Sequence, residues 1–152
     1  MSTLRAQITD DMKLAMKNKD TTRLATLRMV NAALKDKDIE IRVAGEGEVS
    51  DADVLTILQK MLKQREESAS TYRENNRPEL AEKEEAEIVI INDYMPKQLE
   101  GTELDAAIDE AVKKAGAEGP RDMGKVMAYL KEHYAGQINM GSVSGIVKTK
   151  LN

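Results

Sequence analysis

Seven residues in the last third of the chain could engage a partner: Lys125, Lys131, Lys148, Lys150, Gly124, Gly136 and Asn139. Lysine carries a compact, hydrated point charge on a flexible stem, which suits a phosphate backbone. Glycine inside a helix costs about 1 kcal/mol relative to alanine. Gly124, Gly141 and Gly145 therefore need a reason, either close helix–helix approach or close approach of another molecule's backbone. From Arg121 to Asn152 five cations face two acids, a net of +3. Such a stretch suits a polyanion, though ordinary solubilising charge fits it too.

Bond-making chemistry is much less visible. No GxSxG elbow, phosphate-binding Walker loop, dinucleotide fingerprint or HExxH pair occurs. His133, the single histidine, has no partner at useful spacing and reads as a surface residue compatible with a helix C-terminus. Ser142 and Ser144 are explained by capping and packing. Glu79, Glu82, Glu84, Glu85 and Glu87 are interleaved with cations and lack a nearby histidine, so they read as a solvated helix face rather than a metal site. Gly45 and Gly47 precede a helix whose acidic first turn repels phosphate. The tyrosines fit either helix packing or stacking on bases. No catalytic residue, metal ligand or cofactor site is assigned.

The elements that must position these groups are helical throughout, which makes the fold class all-α. Ser2 is placed as the cap of a first helix with Leu4, Ile8, Met12, Ala15 and Met16 on one face. Asp20 caps a second helix from Thr21 to about Val43. Its far end also alternates as a strand would, but a lone strand has no partner here. Ser50 and Asp53 resemble a capping box before a third helix to about Tyr72, whose polar continuation is expected to stand largely in solvent. Pro78 opens a fourth helix, which ends at the Tyr94-Met95-Pro96 break. A domain boundary is placed there, giving an N-terminal bundle of about four helices (1–95) and a three-helix module (96–152). In the module, Leu104, Ile108, Ala111, Val112 and Ala115 form one stripe, stopped by Gly116. Met123, Val126, Met127 and Leu130 form the next, with Gly136 as a left-handed stop. Asn139 then caps the last helix, which buries Val143, Ile146, Val147 and Leu151.

Composition bounds the rest. Phenylalanine, tryptophan and cysteine are absent, so the core is aliphatic and methionine-rich, and disulfides and thiolate metal sites are excluded. No apolar run approaches the roughly 20 residues that span a bilayer. Residues 1–20 are too charged for a signal peptide, which points to a cytoplasmic protein with no membrane partner. A net charge of −4 argues against a protein basic all over.

DMGKVMAYL at 122–130, followed by Gly136, Asn139, Val143 and the KTKL ending, resembles the tail domain of the B subunit of the tRNA-dependent amidotransferase. The whole chain, through MKNKDTTRLATLRMV (16–30), YRENNRPELAEKE (72–84) and INDYMPKQL (91–99), resembles the YqeY family more closely. The resemblance implies an all-helical protein with a three-helix tail module. In the amidotransferase that module helps hold tRNA while a separate body makes the amide with glutamine as nitrogen donor and ATP. Nothing here matches that body, so the resemblance implies a non-catalytic accessory whose partners are tRNA, an amidotransferase or another protein subunit. The alternatives are a protein-interaction adapter and a family-level part in glutamine-dependent carbon–nitrogen ligation. Two positions depart from the tail pattern: Gln137 replaces a basic residue and Ser142 an apolar one.

Overall fold

In the computed structural model, which describes residues 3–152, alternation at Ile39, Ile41 and Val43 yields to the helical period that runs on from Leu27, Val30 and Leu34. The segment is the far end of one long helix. Seven α-helices follow one another: α1 (Thr3–Lys17), α2 (Thr21–Ala44), α3 (Asp51–Glu74), α4 (Pro78–Asn92), α5 (Gly101–Ala115), α6 (Met123–His133) and α7 (Met140–Leu151). A single 3-10 turn, Pro120–Asp122, leads into α6. No strand occurs among the described residues. The protein is all-α.

Local chemistry accounts for the helix ends. The Asp20 carboxylate accepts from the Arg23 N–H at the start of α2, and Ser50 and Asp53 form a reciprocal capping box on α3. Gly45 and Gly116 close α2 and α5 with φ of +71° and +65°, a left-handed conformation that strains a residue bearing Cβ. The expected cap Ser2 lies outside the described residues. At the start of α1, Asp51 of α3 accepts from Thr3 Oγ1 at 2.8 Å and from the Leu4 N–H at 3.1 Å.

The chain folds into two compact units, Met1–Met95 and Pro96–Asn152. The core of the first joins Ile8, Leu27, Leu34, Val54, Leu58 and Ile91, with Val49 plugged into it from the α2–α3 loop. Met16, expected on the buried stripe, is 55% exposed. The polar tail of α3 stands largely in solvent, as expected, and keeps one side against the fold. It pairs with α4 through buried Ala69 and Ala81, and two arginine–glutamate ties lace the seam. Arg65 Nε donates to Glu87 Oε2 at 3.0 Å, and Arg73 forks onto Glu85 at 2.7 and 2.8 Å. Glu87 is thus a buried ion-pair partner rather than part of a solvated face. Tyr94, also buried, donates to Asp11 Oδ2 at 2.6 Å, and burial followed by that hydrogen bond pushes its phenol well above the ordinary tyrosine range.

The second unit packs Ile108 and Ala111 of α5 against Val126 and Leu130 of α6 and Val143, Val147 and Leu151 of α7. Ile138, in the turn between α6 and α7, is 2% exposed and anchors that turn in the core.

Candidate nucleic-acid interface

Helical geometry decides which lysines can act together. At about 100° per residue, Lys148 and Lys150 stand on opposite sides of α7, and Lys125 and Lys131 are separated by about 120° on α6. The four lysines do not share one face. Lys150 turns toward α5, with Nζ 2.7 Å from Asp109 Oδ1 and 3.9 Å from Asp105 Oδ1, and the Asp109 hydrogen bond raises its pKa. It ties α7 to α5. Lys125 is looser, with Nζ 3.7 Å from Asp122 Oδ1 and its side chain 67% exposed. The Asp122 carboxyl is held below its usual range first by the Glu118 backbone N–H, then by Lys125 and Arg121. Lys131 and Lys148 are exposed and form no ion pair with a described residue.

The glycines separate in the same way. Gly136 has φ of +76° and is buried, and its carbonyl accepts from Gln98 Nε2. Beside it, the Gln137 carbonyl accepts the Leu99 N–H at 2.9 Å. This turn is an internal joint, not bare backbone. Asn139 caps α7, its Oδ1 accepting from the Gly141 and Ser142 N–H groups. A Cβ on Gly141 would lie 3.3 Å from that oxygen, so this glycine has an internal reason. Gly124 and Gly145 do not. Both are exposed, and a Cβ on either would meet nothing within 4 Å. Close helix packing, the reading that would have explained them from within, is absent at both.

Two outward faces result. On α6, Arg121 at the helix entrance, Gly124, Lys125, Ala128 and Lys131 are exposed, with Glu132 the one acid among them. On α7, Gly141, Gly145, Lys148 and Asn152 fall at spacings of four, three and four. Small side chains let another backbone come close while unpaired lysines remain to meet its charge.

One cluster in the module was not assigned from sequence. Glu110 of α5 accepts from Tyr129 Oη at 2.9 Å and from Tyr134 Oη at 2.7 Å. Those bonds hold its carboxyl below the ordinary glutamate range and raise both phenols. The Tyr129 and His133 rings stack with centroids 4.1 Å apart and 30° between planes. Their i, i+4 spacing was the available signal, but only the fold places Glu110 beneath them.

Elsewhere, surface depressions of about 390 and 380 Å³ lie along α3 (Gln64, Glu67, Ser68, Thr71, Tyr72) and beside the Arg5–Asp38 pair (Ile41, Arg42, Gly47). Neither has an imidazole to activate a nucleophile, since the one histidine is on α6. Among the described residues no group of three or more metal-ligating side chains converges, and no helix is long and apolar enough to cross a membrane.

Comparison with known proteins matches residues 5–151 to the family described as YqeY, Yqey-like protein. Curated relatives include Altered inheritance of mitochondria protein 41, mitochondrial, of Saccharomyces cerevisiae, 35% identical over 68% of this chain and 54% of that protein. The protein of the same name from Vanderwaltozyma polyspora is 29% identical over 74% of this chain and 63% of its own length. That from Lachancea thermotolerans is 34% identical over 59% and 46%. The chain therefore spans about half to three-fifths of the length of these relatives. With a match running almost from end to end over an all-helical fold, the chain belongs to the YqeY family.

Proposed function

We propose that this YqeY-family protein is a non-catalytic accessory that binds RNA of the tRNA class through the outward faces of α6 and α7. The observation that carries the reading is the bare backbone at Gly145, exposed in mid-helix with no internal neighbour and one turn from unpaired Lys148. Gly124 and Lys131, two turns apart on one side of α6, are likewise exposed, the glycine without an internal neighbour and the lysine without an ion pair to a described residue. RNA helices are read largely by shape and phosphate, for which close backbone approach and mobile cations suffice. The resemblance of 122–130 and the KTKL ending to an amidotransferase tail supports the same class of ligand. Lys150, held by Asp105 and Asp109, is assigned to the fold, and Lys125 to a secondary phosphate contact.

The test is tRNA binding across about 50–200 mM salt. Affinity should fall steeply, and K131Q and K148Q should each reduce the logarithmic salt slope by roughly 0.7–0.9, whereas K150Q leaves it unchanged. Binding indifferent to salt would rule the mode out. The purified chain alone is expected to amidate nothing, and detectable ammonia-dependent amidation of a misacylated tRNA would overturn the non-catalytic reading.

A second reading rests on the first unit, where Val43 is 84% exposed, Val89 63% and Ile39 58%. Apolar side chains so displayed fit an adapter that docks a protein, such as an amidotransferase component. Co-purification of one stoichiometric protein, with no RNA enriched, would favour it.

A further inference from the structure

Resting on the RNA-binding reading, we propose that the Tyr129–His133 stack on α6 is a platform for a single unpaired nucleobase, so that the module engages loops or ends of RNA rather than duplex alone. His133 is exposed and its ring lies against Tyr129 at a centroid distance of 4.1 Å. Tyr129 is fixed from the other end by its hydroxyl bond to Glu110, a carboxylate also held by Tyr134. Tyr129, pinned in this way, gives His133 a fixed surface to lie against, so the stack loses less freedom than two free rings when a third planar group is added. Exposed aromatic side chains, histidine included, are what splayed-out bases stack on, whereas paired bases keep both faces within the duplex. Lys125, Tyr129 and His133 fall at i, i+4 and i+8, one ridge of the helix, so a base on His133 leaves its strand running toward the exposed ammonium of Lys125. The charge of Glu110 is already engaged by two phenols, which limits its repulsion of the incoming phosphates. The hydrogen bonds of the clasp between α5 and α6 are made by Tyr129, Tyr134 and Glu110, and His133, which makes none of them, is the more exposed ring of the stack.

The experiment uses the full chain with two probes, an unstructured oligoadenylate and a blunt duplex RNA of equal length. The chain has no tryptophan, so emission from its four tyrosines follows binding, and the Tyr129→Phe difference isolates the contribution of the stack. H133A is expected to weaken oligoadenylate binding by about 5- to 100-fold while duplex affinity stays within about twofold, and H133F to restore it. Oligoadenylate affinity unchanged in H133A, or equal losses in H133A and H133F, would overturn the platform even where tRNA binding keeps its Lys131 and Lys148 salt slope. A wild-type chain that binds neither probe nor tRNA at low salt would overturn the RNA-binding reading itself, and the platform with it.

Discussion

Gly145→Ala separates stability from recognition within one methyl group. Gly145 lies six residues into the twelve of α7. Its φ is not left-handed, and the added Cβ would meet nothing within 4 Å. No clash therefore offsets the gain in helix propensity, about 1 kcal/mol for glycine to alanine in a helix interior. The neighbouring bond from Thr149 Oγ1 to the Gly145 carbonyl, 3.0 Å long, is untouched by a Cβ. In a unit as small as Pro96–Asn152, 1 kcal/mol corresponds to a rise in melting temperature of about 4–8 °C, readable by circular dichroism at 222 nm. The same methyl group stands where a ligand backbone is proposed to approach, so tRNA affinity should fall by roughly 5- to 10-fold, equivalent to about 1–1.4 kcal/mol. Gly116→Ala is the control, since its left-handed φ should make alanine destabilising by about 1–2 kcal/mol. A stabilised G145A with undiminished tRNA binding would refute the functional reading. A destabilised G145A would refute the structural premise.

The other predictions concern how the two units are held. Glu87→Ala should destabilise the first unit by about 3 kcal/mol in denaturant unfolding, at the lower end for a buried pair because 12–13% of each side chain still meets water. The double replacement Arg65→Met, Glu87→Leu should recover most of that loss, and a double variant no better than the single would contradict the account. Asn139→Ala should cost about 1 kcal/mol by leaving the Gly141 and Ser142 N–H groups uncapped. Tyr94 has a folded-state pKa raised above its unfolded value near 10, so its contribution is complete below that pH and lost as pH climbs through the folded value. The alkaline limb of a stability–pH curve should flatten in Tyr94→Phe, and an unchanged limb would show that another group controls it.

Much of this architecture is written in local signals. Ser50 with Asp53, Asp20, Asn139, Gly45 and Gly116 act at short range, through a side chain three residues from its donor or a φ only glycine takes easily. Periodicity placed Leu27, Val30 and Leu34, and it resolved the ambiguous Ile39–Val43 stretch correctly because helix continues from the preceding turns. What stayed hidden depends on residues distant in the chain. Nothing adjacent to Glu87 shows that Arg65, 22 positions earlier, will neutralise it. Asp51 of α3 is 47 residues from the Leu4 N–H that it satisfies at the start of α1. Lys148 and Lys150 look equivalent in a string and differ only once α5 supplies Asp109 to one of them. The Tyr129–His133 spacing was legible, but the hydroxyl anchor that makes the pair rigid belongs to another helix.

The α3–α4 hairpin has a graded constitution. Near its root Leu58 and Met61 of α3 and Ile90 and Ile91 of α4 share the aliphatic core, while toward its tip Ala69 and Ala81 give slender contact beside the solvent-facing Arg73–Glu85 fork. Hydrocarbon contact is not screened by dissolved salt and is strengthened by salting-out ions, whereas an exposed ionic fork is screened. Concentrated salt should therefore unzip the hairpin from its tip, with amide exchange quickening around Tyr72 and Asn75 while Leu58 stays protected. The hairpin behaves as a rod with a clamped base and an electrically tuned end.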